Sequence, residues 1–508
     1  MKRLVGAMVA LVSATFVIST PATASAVQGC GSIGKPAVPG ADVVSVTAID
    51  KPGGTVEYPP EYPIPPVTGV PPYCEVTAVL THPGVGDRVT VKLWLPATGW
   101  KGRFQGVGGG GYSMGAPFDG MLAEQAKLGY AAATTDGGVD SNGASPAKWA
   151  LDANGNVNTE LLRNFASRSL HDMAVAGKAV TAQYYGRPAD HSYWNGCSTG
   201  GRQGLMNAQR YPDDYDGINA AAPAINWDRF LVANLWPAVV QNEERNQLSP
   251  CELDAFEKAA VDACDRIDGV ADRVVNDPRQ CRYNPSDLVG TKIVCDGKEI
   301  TVSRADAEVI RKIWDGPHGW YGFNRGTDLG WVAGQPPFEI SATWVQYFIK
   351  RDPAFDVSKM SYAQYYRVFA ESRARYNPVI GTDDPDLSAF RRSGGKMITW
   401  HGTDDALIPY QGTVDYRDRV GHRAGNVDDF YRVFLAPGVD HCAGGAGAAP
   451  VDPMAALVGW VEQGKAPRTL PARTADGKAS RELCLYPAVA RYKGGDPNSA
   501  DSFTCRRS

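Results

Sequence analysis

The chain has 508 residues, a formal net charge of −4, 43% hydrophobic and 21% charged residues. That near-balance supplies no basic footprint for nucleic acid or anionic lipid, and the length exceeds what one ordinary domain needs. The 56 glycines and 36 prolines mark a loop-rich protein rather than a repeat protein.

At the start, Met1-Lys2-Arg3 precedes an apolar run from Leu4 to about Ile18, followed by Ala24-Ser25-Ala26. A basic segment, an apolar segment and a small-residue cleavage site predict a signal peptide over residues 1–26. A membrane anchor fits poorly, because the run is short and broken by Ser13, Thr15 and Ser19. No later stretch approaches about 20 uninterrupted apolar residues, so the expectation is a secreted, extracellular protein with no membrane contact after processing. All ten cysteines (Cys30, Cys74, Cys197, Cys251, Cys264, Cys281, Cys295, Cys442, Cys484 and Cys505) follow the leader. An even count in an exported chain predicts disulfides, and the lack of any CxxC pair argues against zinc or thioredoxin-like chemistry.

In the mature part, Val89–Leu95 alternates and meets Pro96, predicting a strand. Arg103-Phe104-Gln105 is a second strand, emptying into the glycine-rich loop Gly106–Gly111. Tyr130–Thr134 is a third, and Ser192–Asn195 leads into a turn at Ser198. Gly201–Arg210 reads as a helix ended by Tyr211-Pro212. The segment from about 226 to 388 is richer in charge and in helical patterns (Asp254–Ala263, Arg304–Trp314, Tyr362–Arg375) and holds four of the cysteines. It is read as an inserted lid domain, with the sheet broken after Ala220–Pro223 and resumed near Lys396. Lys396–Trp400 and Tyr431–Leu435 are later strands, and Met454–Glu462 is a helix. The expected fold is α/β, a mainly parallel sheet flanked by helices, built from residues 27–225 and 389–508. Its functional residues belong at the carboxyl ends of the strands.

Chemistry is concentrated at two places far apart in sequence. Gly196-Cys197-Ser198-Thr199-Gly200 places glycines two residues either side of a serine, between a strand-like and a helix-like run, the context in which GxSxG presents a nucleophile. Cys197 is a weaker rival, since an exported cysteine is usually oxidised. Asp440-His441-Cys442 offers the one histidine followed by cysteine, and a disulfide between Cys197 and Cys442 would bring Ser198 to His441. A serine hydroxyl needs such a base, and the base needs an acid to fix its tautomer. Asp405 is the chosen acid, with Asp404 the alternative. The order Ser198, Asp405, His441 is that of the α/β-hydrolases. The Thr199 amide and an amide of the Gly108–Gly111 run, with Gly109 and Gly110 at its centre, are the candidate oxyanion donors. Asp265, Asp268 and Asp272 crowd three carboxylates into eight residues. From composition, a Ca²⁺ loop with Val270 and Val274 carbonyls as further ligands and a solvated acidic turn are both open. Trp344, Tyr347 and Phe348 are candidates for an aromatic acyl pocket, against a plain core role.

These motifs together resemble the tannase/feruloyl esterase family of α/β-hydrolases, which includes a bacterial mono(2-hydroxyethyl) terephthalate hydrolase. Cys197-Ser198, Asp405 and His441-Cys442 match its Cys-Ser…Asp…His-Cys arrangement, and Gly200-Gly201-Arg202-Gln203-Gly204 continues its nucleophile motif. The resemblance implies a serine esterase acting through an acyl-enzyme on feruloyl, other hydroxycinnamoyl or galloyl esters from plant cell walls or tannins. It implies no organic cofactor and a structural Ca²⁺ in the lid, held by the turn that Cys264 and Cys281 close. Arg273 stands where a glycine is common. The resemblance also implies the pairs Cys30–Cys74, Cys197–Cys442, Cys264–Cys281 and Cys484–Cys505, leaving Cys251 with Cys295. Two other classes remain open: a phenolic-binding module on a hydrolase fold, and a metallohydrolase using His401, Asp404, Asp405 and His441.

Overall fold

A computed structural model describes residues 29–60, 64–116, 118–140 and 143–507; the expected signal peptide lies outside them. Nine strands form one sheet: β1 (Asp42–Lys51), β2 (Tyr73–Thr81), β3 (Val89–Pro96), β4 (Arg103–Val107), β5 (Tyr130–Thr135), β6 (His191–Cys197), β7 (Gly217–Ala221), β8 (Lys396–Gly402) and β9 (Tyr431–Ala436). Their spatial order is β1-β2-β3-β5-β4-β6-β7-β8-β9. The first three and β5 pair antiparallel. From β5 to β9 every pairing is parallel. The composition of β5 explains its central place: Tyr-Ala-Ala-Ala-Thr-Thr is buried at every residue, as a strand covered on both faces must be.

Helices α1 (Asp119–Lys127), α2 (Ser169–Tyr185), α3 (Thr199–Arg210), α4 (Pro250–Cys264), α5 (Arg304–Asp315), α6 (Tyr362–Ile380), α7 (Tyr410–Ala424) and α8 (Pro453–Gln463) surround or extend this sheet. Capping boxes start three of them: Ser249 with Glu252, Ser303 with Asp306 and Ser361 with Gln364. Each box satisfies two backbone donors that a helix start leaves orphaned.

Between β7 and β8 the chain contributes nothing to the large sheet. This insertion is mainly helical, with one short hairpin of Lys292–Cys295 and Lys298–Thr301. It shares the main apolar core with the sheet. Trp227, Trp344 and Phe348 pack with Trp149 and Phe165 in one continuous cluster, with ring centroids 4.5 Å (Trp344–Phe348), 5.4 Å (Phe165–Trp227) and 5.6 Å (Trp149–Phe348) apart. The disulfides are Cys30–Cys74, Cys197–Cys442, Cys251–Cys295, Cys264–Cys281 and Cys484–Cys505, matching the expected pairs.

Sequence patterning missed β1 and β2. In β1 no residue is buried, and Val44 and Ile49 are each 54% exposed. An antiparallel edge strand with apolar residues facing water carries little periodic signal.

Candidate active site

Ser198 follows β6 and precedes α3, with φ 62° and ψ −122°. A non-glycine residue in that region is strained, and it leaves the side chain half-buried at the carboxyl edge of the sheet. The turn is possible because Gly196 has no side chain: a Cβ there would lie 2.6 Å from the backbone of Gly200. Cys197 is bonded to Cys442, their Cα atoms 6.0 Å apart, so the segments carrying Ser198 and His441 are held side by side. That bond also removes Cys197 as a nucleophile.

The acid comes from the turn after β8. Asp405 is buried, and its Oδ2 lies 2.7 Å from His441 Nδ1. Its Oδ1 accepts the amides of Leu407 and Ile408, each at 2.8 Å. Burial alone would raise this carboxyl; the facing His441 and the hydrogen bonds from His401 and His441 hold it far below the usual range. Asp404, one residue earlier, behaves oppositely. It is buried, among the described residues has no cationic partner and accepts only from Thr403 Oγ1 at 3.0 Å, and is pushed up to about 7 by burial, with Asp440 adding to the rise. The geometry therefore couples Asp405, not Asp404, to His441.

The glycine loop is braced against α3. Gly200 N–H donates to Gly109 O at 2.9 Å, and Thr199 Oγ1 donates to Gly111 O at 2.7 Å. Gly109 N–H donates to Gln203 Oε1 at 3.1 Å, while Gln203 Nε2 donates to Met114 O at 2.8 Å. The Gly109 amide, one of the expected oxyanion donors, is thus engaged by Gln203 in this structure. Among the described residues the amides of Gly110 and Thr199 make no such bond. Gln203 is a residue that sequence reasoning quoted only as part of a motif. Its signal was an amide side chain one turn beyond the nucleophile, on the buried side of a helix. Arg202 beside it is fully buried, donates to the Phe165 and Ala166 carbonyls at 2.9 Å, and is lowered to about 9 by burial.

The metallohydrolase alternative does not fit this arrangement. His401 engages both ring nitrogens, Nδ1 with Thr413 Oγ1 at 2.8 Å and Nε2 with Ile408 O at 3.0 Å. It has no lone pair left for a metal.

Comparison with known proteins agrees with the geometry. The family model described as tannase and feruloyl esterase matches residues 74–333 and 335–506. The chain belongs to the tannase and feruloyl esterase family. A probable feruloyl esterase of Arthroderma benhamiae is 45% identical over 94% of this chain and 93% of its own length. The mono(2-hydroxyethyl) terephthalate hydrolase of Piscinibacter sakaiensis is 30% identical over 86% of this chain and 85% of its own. Among solved structures, tannin acyl hydrolase from Aspergillus niger superposes with a TM-score of 0.83 at 27% identity, covering 95% of this chain and 94% of that one. The fold is thus that of an α/β-hydrolase, and the protein is a carboxylic ester hydrolase of this family.

Other expectations for the esterase are redrawn by the structure. Trp344 and Phe348 are 0% exposed, so they are core rather than pocket wall; Tyr347 is only partly buried against that core. A cavity of about 500 Å³ lies away from Ser198, between the acidic turn and the C-terminal strands, lined by Asp268, Asp272, Arg279, Tyr410, Arg481 and Phe503 among others. In the acidic turn itself, Asp265 Oδ1 accepts the amides of Asp272 and Arg273 at 3.0 and 2.9 Å. Asp268 Oδ1 accepts Val270 N at 3.0 Å, and Asp272 Oδ2 pairs with Arg481 at 2.7 Å. Asp268 is raised by burial and, more weakly, by Asp272 and Asp265. Among the described residues, the acidic group whose oxygens converge within 4.8 Å of one another is a different one, Asp254, Glu257 and Asp328. That cluster has a donor set that could hold a metal ion.

Proposed function

We propose that this esterase is secreted and hydrolyses esters of aromatic acids, of the feruloyl, hydroxycinnamoyl or galloyl kind, through a serine acyl-enzyme. The observation that carries the reading is the disulfide Cys197–Cys442, which joins the strained Ser198 turn to the segment whose histidine sits 2.7 Å from Asp405. In the proposed cycle Ser198 Oγ attacks the ester carbonyl and His441 Nε2 takes its proton. Asp405 holds His441 Nδ1–H and stabilises the imidazolium. The Thr199 and Gly110 amides receive the developing oxyanion. His441 then returns the proton to the departing alcohol, and water repeats the sequence to release the acid. The aromatic acyl class is supported by the names of the relatives, a probable feruloyl esterase, a terephthalate monoester hydrolase and a tannin acyl hydrolase. Secretion is supported by the leader-like N-terminus and five disulfides. No helix among the described residues is long and apolar enough to cross a membrane.

The insertion between β7 and β8 is proposed to act as a lid. Its turn of Asp265, Asp268, Val270, Asp272 and Val274 is proposed to hold Ca²⁺. The all-oxygen donor set suits that ion, and like-charge crowding around Asp268 is what a cation would relieve. The role is structural and enters no step of the cycle. Initial rates on methyl ferulate, methyl gallate and a terephthalate monoester, each with Ser198→Ala as control, test the function. Turnover of at least one ester that vanishes in Ser198→Ala is expected. Aromatic-ester turnover that survives the substitution excludes the serine mechanism, and tight binding of all three without turnover favours a binding module.

A further inference from the structure

Behind the proposed acid–base pair stands a second imidazole. His401, the penultimate residue of β8, is 0% exposed. Its Nε2 is 3.1 Å from Asp405 Oδ2, the same oxygen that meets His441 Nδ1 at 2.7 Å. The tautomer follows from the partners. Ile408 O, 3.0 Å from Nε2, can only accept, so Nε2 carries the proton. Nδ1 therefore accepts from the Thr413 hydroxyl at 2.8 Å. The Asp405 carboxylate then receives four N–H donors, two amides on Oδ1 and two imidazoles on Oδ2, the His401 N–H being shared with Ile408 O. Through His401 the strand β8, the turn after it and helix α7 all bear on one carboxylate.

Resting on the assignment of Asp405 and His441 as acid and base, we propose that His401 is a positioning residue for catalysis: by sharing Asp405 Oδ2 it fixes the carboxylate's orientation and limits the negative charge presented to His441. A carboxylate that shares an oxygen between two donors offers each less charge. Removal of the inner donor should let Asp405 turn, which lowers turnover. It should also direct more charge onto the His441 imidazolium, which moves the acid limb of activity to higher pH. The other titratable groups at this place are Asp404 on the same turn, Tyr410 of α7 facing Asp404, Asp440 beside His441, and Asp328 and Glu257 of the insertion, which act on Asp440 and Asp404; all stay in place in the variants.

The test compares His401→Leu with His401→Gln in the mature full-length enzyme, using the best of the three esters above. For the leucine variant kcat should fall about tenfold or more with KM within about twofold, and the acid limb of kcat/KM should rise by roughly 0.5–1 pH unit. Glutamine, whose side-chain N–H can reach the same oxygen, should restore the limb and most of kcat. A folded His401→Leu enzyme with the parent kcat and acid limb overturns the proposal. Activity surviving in Ser198→Ala would instead overturn the serine reading, so the two failures are distinguishable. Should His401→Leu not fold, ¹⁵N NMR of the parent's histidines decides: a proton on Nε2 of His401 is expected, and one on Nδ1 overturns the proposal. Thr413→Val, which removes the hydroxyl that marks the tautomer, should then show a smaller shift of the limb in the same direction.

Discussion

Two acidic stretches of this chain read alike in sequence and are solved in opposite ways. After β8, Asp404 and Asp405 are both buried; Asp405 receives four N–H donors, two from its own turn and two from His401 and His441, and Asp404 a single hydroxyl. In the insertion, Asp265, Asp268 and Asp272 point their oxygens at the amides of their own turn, and Asp272 borrows Arg481 from a distant strand. The first stretch adds two imidazoles to the amides of its turn. The second relies on the amides of its own turn and one arginine. What a carboxylate does is thus set by the side chains brought to face it as well as by its own turn's amides, and neighbouring positions in sequence need not share a role.

The sharpest break of this comparison is within the first stretch. Asp405→Asn should reduce kcat by about 10⁴, because the amide favours the wrong imidazole tautomer. Asp404→Asn should leave kcat within a few-fold. Its effect belongs to stability. Asp404 is raised to about 7, well above the usual carboxyl value. The stability it contributes is full below about pH 4 and is lost as pH rises through about 7. Asparagine keeps the bond to Thr403 and removes the charge. Its melting curve should therefore match the parent at pH 4 and lie above it at pH 8, by about 1–3 kcal/mol. A variant that melts below the parent at pH 8 would contradict the assignment. Asp405, whose value is lowered, has the reverse dependence: its contribution is present above the usual carboxyl value and disappears only in strong acid.

The next effect is that of the bond joining the two halves of the site. Cys197→Ser with Cys442→Ser opens a loop spanning 245 residues. Chain entropy sets an upper value near about 5 kcal/mol for its stabilisation. Loss of register between Ser198 and His441 should cost roughly 10²-fold in kcat. Cys251→Ser with Cys295→Ser, which opens a loop in the insertion, should lower the melting temperature with little change in kcat per folded molecule. Equal losses of turnover in the two pairs would remove the special place given to the first.

Much of the site was legible because its residues need particular neighbours. Glycines around Ser198 and a cysteine beside each of Ser198 and His441 are local signals of a long-range contact. Most strands of the parallel part were also legible, since buried β5 or β8 admits few polar residues. Three things were not. The engagement of the Gly109 amide could not be read without knowing that Gln203 reaches it. Trp344 and Phe348 are fully buried, while Tyr347 one helical step away is not, a difference fixed by packing from elements distant in sequence. The metallohydrolase alternative that included His401 stayed open because only the fold shows both its nitrogens occupied.

The second stretch carries the smaller predictions. If the acidic turn holds Ca²⁺, chelation should lower the melting temperature and added Ca²⁺ should restore it, by about 2.7 kcal/mol at a hundredfold excess over Kd. Turnover of the protein still folded should not change, because the turn supplies nothing to the reaction; activity that tracks chelator while the fold persists would refute a structural role.

Within the same turn, Arg273 adopts φ 64°. That left-handed conformation costs an L-residue roughly 1–2 kcal/mol, and its side chain is exposed, so little packing offsets it. Glycine takes the conformation without penalty but gives the unfolded chain more freedom, which returns part of the gain. Arg273→Gly should therefore stabilise by about 0.5–1 kcal/mol, read as a rise of about 1–2 °C, with kinetics unchanged. The amide that Arg273 donates to Asp265 survives the substitution, so Ca²⁺ affinity should hold or improve. A drop in stability would mean that the arginine side chain, rather than the shape of the backbone, secures this turn, and the contrast with the donor-rich turn at Asp405 would narrow accordingly.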